Sequence, residues 1–314
     1  MTDLICMGEP MLELNQLVAG GADETLYRAG HGGDTSNAAI AAARQGAKVA
    51  YLTAVGQDAG GASFLELWRA EGIETRHVVQ DPLNPTAVYL VHHGPGGHEF
   101  QYYRQGSAAS AYAPTHVPDE AVRGAKILYA SGISQGISNS AADAVFHAID
   151  VARGAGVRVA YDTNYRPRLW PPARASAIIH AAIAQSSIAL PSLDDATALT
   201  GLSDPDAIAD FYLHLGPSLV ALKMGAGGTL LATPNERLRI APFPCRPVDA
   251  TGAGDTFCGA FLARLIAGDA PPEAARYAAC AAALSTTGHG AVPPIPRADA
   301  VLAALEQHGA GEIG

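Results

Sequence analysis

The chain has 314 residues, 48% hydrophobic and 16% charged, which is enough apolar material for a sizeable core and excludes a disordered polymer. A formal net charge of −10 without any basic run argues against a nucleic-acid binder. Gly, Arg and Asp interrupt the Ala-rich stretches too often for a bilayer span, so no membrane partner is expected.

In chain order, Leu4 to Gly8 reads as a buried strand ending in glycine, with neither the basic flank nor the length of a signal peptide. Residues 12–30 read as short strands and turns, with Gly20-Gly21 marking a hairpin. Ser36 or Asn37 is placed to cap a helix that runs to about Arg44 and closes at Gly46. Val49 to Val55 is strand-like, and Gly60 to Ala70 is a helix stopped by Gly72. Thr86 to Val91 and Glu99 to Arg104 form two strands around the turn His93 to His98, with Tyr102 and Tyr103 on opposite faces. This β-hairpin stands apart from the βα pattern around it and reads as part of a small sheet, with lid strands from about 12–30 and 86–104.

From residue 125 the alternation is regular. Strands are expected at Ile127 to Ala130, Val157 to Asp162, Ser187 to Leu190 and Leu219 to Lys223, with a helix over Ser140 to Ala152. Such alternation implies an α/β chain with a mostly parallel sheet covered on both faces. Ligands of such sheets bind at the carboxyl ends of the strands, so Asp162, Ser192, Lys223 to Gly228 and Gly252 to Asp255 should share one crevice. No internal repeat or linker divides the chain, and a single unit, 1–314, is expected. Cys6, Cys245, Cys258 and Cys280 are too scattered for a disulfide framework or a metal knuckle and read as reduced thiols of a cytoplasmic protein. The histidines show no ligand spacing.

The densest chemistry lies in Val248-Asp249-Ala250-Thr251-Gly252-Ala253-Gly254-Asp255-Thr256-Phe257. Two glycines precede a helix with a wide apolar face (Phe257, Cys258, Phe261, Leu262, Leu265, Ile266), so its first-turn N–H groups are fixed and open to an oxyanion. Asp255, in the same turn, could cap the helix or take a proton from an attacking hydroxyl.

The run Asp249 to Asp255 resembles the C-terminal signature of the ribokinase-like (PfkB-type) carbohydrate kinases. Gly32-Gly33-Asp34-Thr35-Ser36-Asn37, followed by Gly46 and Gly56, resembles the N-terminal signature of that family, and the resemblance covers essentially the whole chain. It implies a three-layer αβα sandwich with a mostly parallel central sheet and a small β-sheet lid. It also implies ATP as phosphoryl donor, Asp255 as general base, and Gly252, Ala253 and Gly254 as the anion hole. Lys223-Met224-Gly225-Ala226-Gly227-Gly228 is similar to the nucleotide loop of the family, with Ser192 nearby; read without the resemblance, it is a glycine turn between two strands. Ser192-Leu193-Asp194-Asp195 stands where many members place Asn-x-x-Glu, so Mg2+ would be organised through water by Asp195 or its neighbour Asp194. Asp249 and Thr251, with residues 285–291, resemble a monovalent-cation site, which implies K+.

Three stretches are similar to 2-keto-3-deoxygluconate kinases within the family: Gly8 to Leu14, Tyr102 to Ser110, and Asp162 to Trp170. A sugar acid carries a carboxylate that a guanidinium fork can grip. The resemblance places Gly33, Asp34 and Asn37 on the acceptor's hydroxyls, Arg166 and Arg104 on its carboxylate, and Tyr89 and Tyr103 beside it. The alternative for Arg166 is a structural ion pair with a neighbouring acid. The expected reaction is phosphorylation of the 6-hydroxyl of 2-keto-3-deoxygluconate. A fructokinase or ribokinase is the alternative, followed by a non-catalytic sugar or nucleotide sensor. The aromatic small sheet would suit a homo-oligomer, a dimer or higher. A dinucleotide oxidoreductase is excluded, because no G-x-G-x-x-G follows the first strand.

Overall fold

The structure is a computed structural model and describes residues 2–17, 25–94 and 97–311. Its elements in chain order are β1 (Leu4–Met7), β2 (Met11–Gln16), β3 (Tyr27–Gly32), α1 (Asp34–Arg44), β4 (Val49–Gly56), α2 (Ala59–Ala70), β5 (Val78–Asp81), β6 (Ala87–Gly94) and β7 (Gly97–Tyr103). There follow α3 (Asp119–Arg123), β8 (Ile127–Ser131), α4 (Gly132–Gly136), α5 (Asn139–Gly154), β9 (Arg158–Asp162), α6 (Pro172–Ile183), β10 (Ile188–Ala189), α7 (Leu193–Thr200) and α8 (Pro205–Leu215). The chain ends with β11 (Leu219–Lys223), β12 (Thr229–Ala232), β13 (Arg237–Ile240), α9 (Ala253–Ala267), α10 (Pro271–Ser285) and α11 (Ala298–Gly311).

The large sheet runs β13-β12-β11-β10-β9-β8-β1-β4-β5, parallel from β11 through β5 and antiparallel at its β12–β13 edge. Its strands alternate between two cores, which is why β1 is buried along its whole length. Leu4 and Cys6 face the layer of α1, α2, α9, α10 and α11, whereas Ile5 and Met7 face α3, α5, α6, α7 and α8. The architecture is therefore the expected αβα sandwich.

A second sheet, β3-β2-β6-β7, carries the expected small-sheet segments. Its β2–β6 pairing is parallel, and its β2–β3 and β6–β7 pairings are antiparallel. The Gly20-Gly21 turn lies outside the described residues. Among the described residues no helix is long and apolar enough to cross a membrane.

The start of α1 differs from the expectation. The helix begins at Asp34 behind Gly33, and Ser36 and Asn37 lie inside its first turn instead of capping it. Both side chains have tertiary partners: Ser36 Oγ accepts from Trp68 Nε1 at 2.9 Å, and Asn37 reaches across to Asp255.

Candidate active site

Small residues bring the two helices of the site together. A β-carbon on Gly259 of α9 would lie 2.2 Å from the Ala38 carbonyl oxygen of α1, so the two backbones are almost in contact. That approach sets Asn37 against the first turn of α9, where its Nδ2 donates to Asp255 Oδ2 at 2.8 Å. Asp255 does not cap its helix; Gly252 occupies that position, with no side-chain cap bond. Burial and the neighbouring Asp34 and Asp162 carboxylates push the Asp255 carboxyl up to about 7, against the pull of Asn37 and Lys223. A carboxylate poised there is matched to proton transfer near neutral pH.

At the turn expected to form an anion hole, the amides divide into open and engaged ones. Among the described residues, the N–H groups of Gly252, Gly254 and Asp255 meet no protein acceptor, whereas the Ala253 N–H turns back to the Ala250 carbonyl at 3.2 Å. Open amides at the positive end of a 15-residue helix favour a phosphoryl oxygen. Gly252, Gly254 and Asp255 are thus the available donors, and Ala253 is used within the turn.

On the acceptor side, Asp34 Oδ2 accepts from Ser131 Oγ and from Asn164 Nδ2, the latter at 2.8 Å. Asp34 Oδ1 and Asn37 Oδ1 are buried and have no partner among the described residues, a costly arrangement that a bound hydroxyl would relieve. Burial also raises the Asp34 carboxyl. Asn164 is itself buried at a φ of 27°, a sparsely populated backbone that commonly marks a functional position. Gly33 turns the chain into α1 at a φ of 112°, and a β-carbon there would lie 2.4 Å from the Glu9 carbonyl oxygen. Gly33→Ala should therefore lose roughly 1–3 kcal/mol to backbone strain, plus the cost of the clash. An unchanged midpoint in urea melts would show that the β1–β2 junction yields.

The parity of the small sheet reverses one expectation. Tyr89 pairs with Tyr102, and Tyr103 pairs with Val88 on the opposite face. Tyr89 is buried with Met11, Ala87 and Val91, its hydroxyl donates to Glu13, and it lies close enough to Asp255 to feel its charge. Tyr102 packs beside it with ring centroids 5.9 Å apart. Tyr103 is 56% exposed and bonded by Gln101, so the tyrosine accompanying Tyr89 is Tyr102.

The two arginines also part company. Arg104 is committed to the buried Glu9, with its Nε 3.0 Å from Glu9 Oε2, and lies over the Tyr102 ring. Arg166 has no carboxylate within ion-pair distance among the described residues, yet its charge acts on both Asp34 and Asp195. Its guanidinium donates to the Tyr165 carbonyl at 3.0 Å. Arg168 ties this loop to the small sheet by donating to the Phe100 carbonyl at 2.8 Å.

On the remaining side, Lys223 Nζ lies 2.6 Å from Asp162 Oδ2, so the ammonium expected near a nucleotide is held in an internal ion pair. Gly225 and Gly228 belong to the turn between β11 and β12. Ser192 caps α7 by accepting from the Asp195 N–H at 3.2 Å. Asp194 is exposed, whereas Asp195 turns inward to accept from Thr163 Oγ1 and the Tyr165 N–H, each at 3.2 Å. Burial and the adjacent Asp162 raise the Asp195 carboxyl. Asp249 accepts from Thr251 Oγ1 at 2.6 Å and from the Gly290 N–H at 2.9 Å, which joins the two segments expected around a monovalent cation. Although burial opposes it, those bonds hold the Asp249 carboxyl below its ordinary value.

Ser131, Asn164, Glu9 and Tyr102 were absent from the expected site. Glu9, Tyr102 and Asn164 lie in the three stretches Gly8 to Leu14, Tyr102 to Ser110 and Asp162 to Trp170, whereas Ser131 carried no local signal.

A buried carboxylate against open helix amides at the carboxyl edge of a parallel sheet, with unpartnered buried acceptors on the neighbouring helix, is an arrangement suited to moving a phosphoryl group onto a hydroxyl. The sequence matches the pfkB family carbohydrate kinases over residues 1–298, and the chain belongs to that family. It is 32% identical to the 2-dehydro-3-deoxygluconokinase of Thermoproteus tenax over 314 residues, covering 97% of this chain and 95% of the relative. The fold matches the PfkB protein from Polaromonas sp. JS666 with a TM-score of 0.85 at 31% identity, covering 92% of this chain and 97% of that one. It also matches the fructokinase from Vibrio cholerae O395 in its fructose-, ADP- and calcium-bound form. That TM-score is 0.86 at 26% identity, with 97% and 99% of the two chains covered.

Proposed function

We propose that this sugar kinase phosphorylates the 6-hydroxyl of 2-keto-3-deoxygluconate with ATP, giving 2-keto-3-deoxy-6-phosphogluconate and ADP. The observation that carries the choice of acceptor is Arg166, a guanidinium without a carboxylate partner among the described residues, beside Asp34 at the edge of the cleft. Such a cation binds an acceptor carboxylate, bidentate and charge-assisted, more strongly than the hydroxyls of a neutral hexose. The likeness to the Thermoproteus tenax enzyme points the same way.

Gly33, Asp34 and Asn37 hold the acceptor's hydroxyls, with Tyr89 and Tyr102 closing over it. Asp255 accepts the proton of the 6-hydroxyl as its oxygen bonds to the γ-phosphorus. The bond from that phosphorus to the β-phosphate oxygen breaks, and ADP leaves. The open amides of Gly252, Gly254 and Asp255 stabilise the charge spreading over the transferring group. Asp195, inward and partly buried, and the Asp249–Thr251 turn fit the roles of holding Mg2+ through water and K+, respectively. Mg2+, when bound, neutralises phosphate charge. The nucleotide lies along Gly225 to Gly228 and the start of α9. Tyr27 and Tyr103, exposed on the other face of the small sheet, suit an interface between copies.

A fructokinase is the second reading, favoured by the engagement of Arg104 with Glu9, which leaves one free guanidinium instead of two. ADP release across sugar acids and neutral sugars separates the two readings. Arg166→Gln should raise KM for the sugar acid roughly 10–100-fold, the loss of one charged hydrogen bond, while leaving any turnover of fructose unchanged. Turnover of fructose but not of 2-keto-3-deoxygluconate would overturn the sugar-acid reading.

A further inference from the structure

One buried cluster has no part in the chemistry just described. Lys223, at the end of β11, and Asp162, at the end of β9, form an ion pair whose side chains are only 12% and 3% exposed. Cys258, one turn into α9, completes the cluster. Its Sγ lies 3.2 Å from Lys223 Nζ and 3.4 Å from Asp162 Oδ2. Asp162 Oδ1 accepts from the Asn164 N–H at 3.3 Å, so the same carboxylate shapes the turn that carries Asn164 to Asp34. A β-carbon on Gly254 would come to 3.9 Å from Lys223 Nζ, which places the ammonium directly against the first turn of α9.

We propose that Lys223 and Asp162 act as one positioning unit for phosphoryl transfer, seating the phosphoryl-binding turn of α9 and balancing the charge beside Asp255, and that Lys223 is not a nucleotide ligand. The inference rests on the kinase reading of this site and deepens it.

The geometry supports the unit in two ways. First, the ammonium is already engaged by Asp162 and Cys258, and withdrawing it to reach a phosphate would strand a carboxylate that is 2% exposed. Second, the cleft concentrates acids. Asp34 comes from α1, Asp162 from β9, Asp195 from α7 and Asp255 from α9, with Tyr129 of β8 and Tyr89 of β6 also near. Lys223 and Arg166 are the cations whose charge acts on these acids, and Glu9, itself paired with Arg104, adds a further carboxylate beside Asp34. Burial works against the charge on Lys223, yet the adjacent Asp162 holds its ammonium well above the ordinary lysine value, so it stays a cation. Removing either partner therefore changes the net charge next to Asp255, with opposite signs for the two partners.

The test compares Asp162→Asn, Lys223→Met and the double variant in the full-length protein. Two readouts are used: steady-state kinetics with the best acceptor, and carboxyl-carbon NMR titration of Asp255 in the ligand-free protein. Asp162→Asn leaves an unbalanced cation, so the Asp255 titration and the acid limb of kcat/KM should move down by about one pH unit. Lys223→Met leaves an extra acid, so both should move up by a similar amount. The double variant should return to within a few tenths of the wild-type position. In each single variant kcat should fall at least about tenfold while KM for ATP stays within about twofold, as expected when an interaction made only in the transition state is lost.

Shifts of the same sign in the two single variants, an unmoved titration in folded Asp162→Asn, or a double variant that fails to return toward the wild-type position would overturn the proposal. So would a rise in KM for ATP at unchanged kcat in Lys223→Met, the signature of a nucleotide ligand. The NMR titration needs no acceptor, so its outcome stands even if the protein fails to turn over sugar acids.

Discussion

Asp255→Asn should lower kcat by about 10²–10⁴-fold, the usual contribution of a positioned general base, and leave the fold intact. The amide oxygen of the new side chain can still accept from Asn37 Nδ2, so the α1–α9 contact that builds the site is retained. The pH dependence provides a second check. With its carboxyl held up at about 7 by burial and by Asp34, wild-type kcat/KM should climb through that pH to a plateau above it. A carboxyl raised on folding binds its proton more tightly in the native state. Its contribution to stability is therefore greatest in acid and is lost as pH rises from the ordinary carboxylate range through about 7. Asp255→Asn removes that loss, so its melting temperature at pH 8 should equal or exceed that of the wild type while activity collapses. A variant retaining a tenth of the wild-type rate would remove Asp255 from the base role. A variant that melts early would point to Asp255 as a structural residue.

What could be read from the chain follows from how local each signal is. The buried strands β1, β8 and β9 and the apolar face of α9 declare themselves within a few residues, whereas the glycines around Asp255 gain meaning only beside the second signature at Gly32 to Asn37. Signals that depend on a distant partner were read differently. Ser36 and Asn37 look like helix caps because their side chains suit that role, but Trp68 and Asp255 engage them across the fold. Lys223 stands in a glycine-rich loop whose local sequence gives no sign of its ion pair with Asp162, 61 positions away. The faces of Tyr102 and Tyr103 depend on which of the two pairs with Tyr89, a register set by the β6–β7 pairing and not by either strand alone. The glycine turn before Thr229 implies a strand beyond it, whereas β13, four residues long and mostly exposed, is too short a run to stand out.

Arg104→Ala should destabilise the protein by about 3–5 kcal/mol near neutral pH, the loss expected when one partner of a buried ion pair is removed. Glu9 is 1% exposed, and its Oε1 has no partner among the described residues, so Arg104 is what makes its charge tolerable. Even with Arg104 present, burial raises the Glu9 carboxyl above its ordinary value. Without the guanidinium that rise must grow. The native state then binds a proton that the unfolded chain has released, and stability falls as pH rises above the ordinary glutamate range. The defect should accordingly shrink between pH 8 and pH 5 in urea melts, and adding Glu9→Gln to Arg104→Ala should recover most of it at pH 8. A double variant as unstable as the single would assign the loss to packing on Tyr102 instead of to the stranded charge. Because the pair joins the end of β7 to the β1–β2 junction, it braces the small sheet beside the Gly33 turn. Glu9→Gln alone thus separates strut from restraint. If the uncompensated Arg104 then joins Arg166 on the acceptor's carboxylate, KM for the sugar acid falls below the wild-type value. If Arg104 is only a brace, KM stays at that value and the loss appears in the melting temperature.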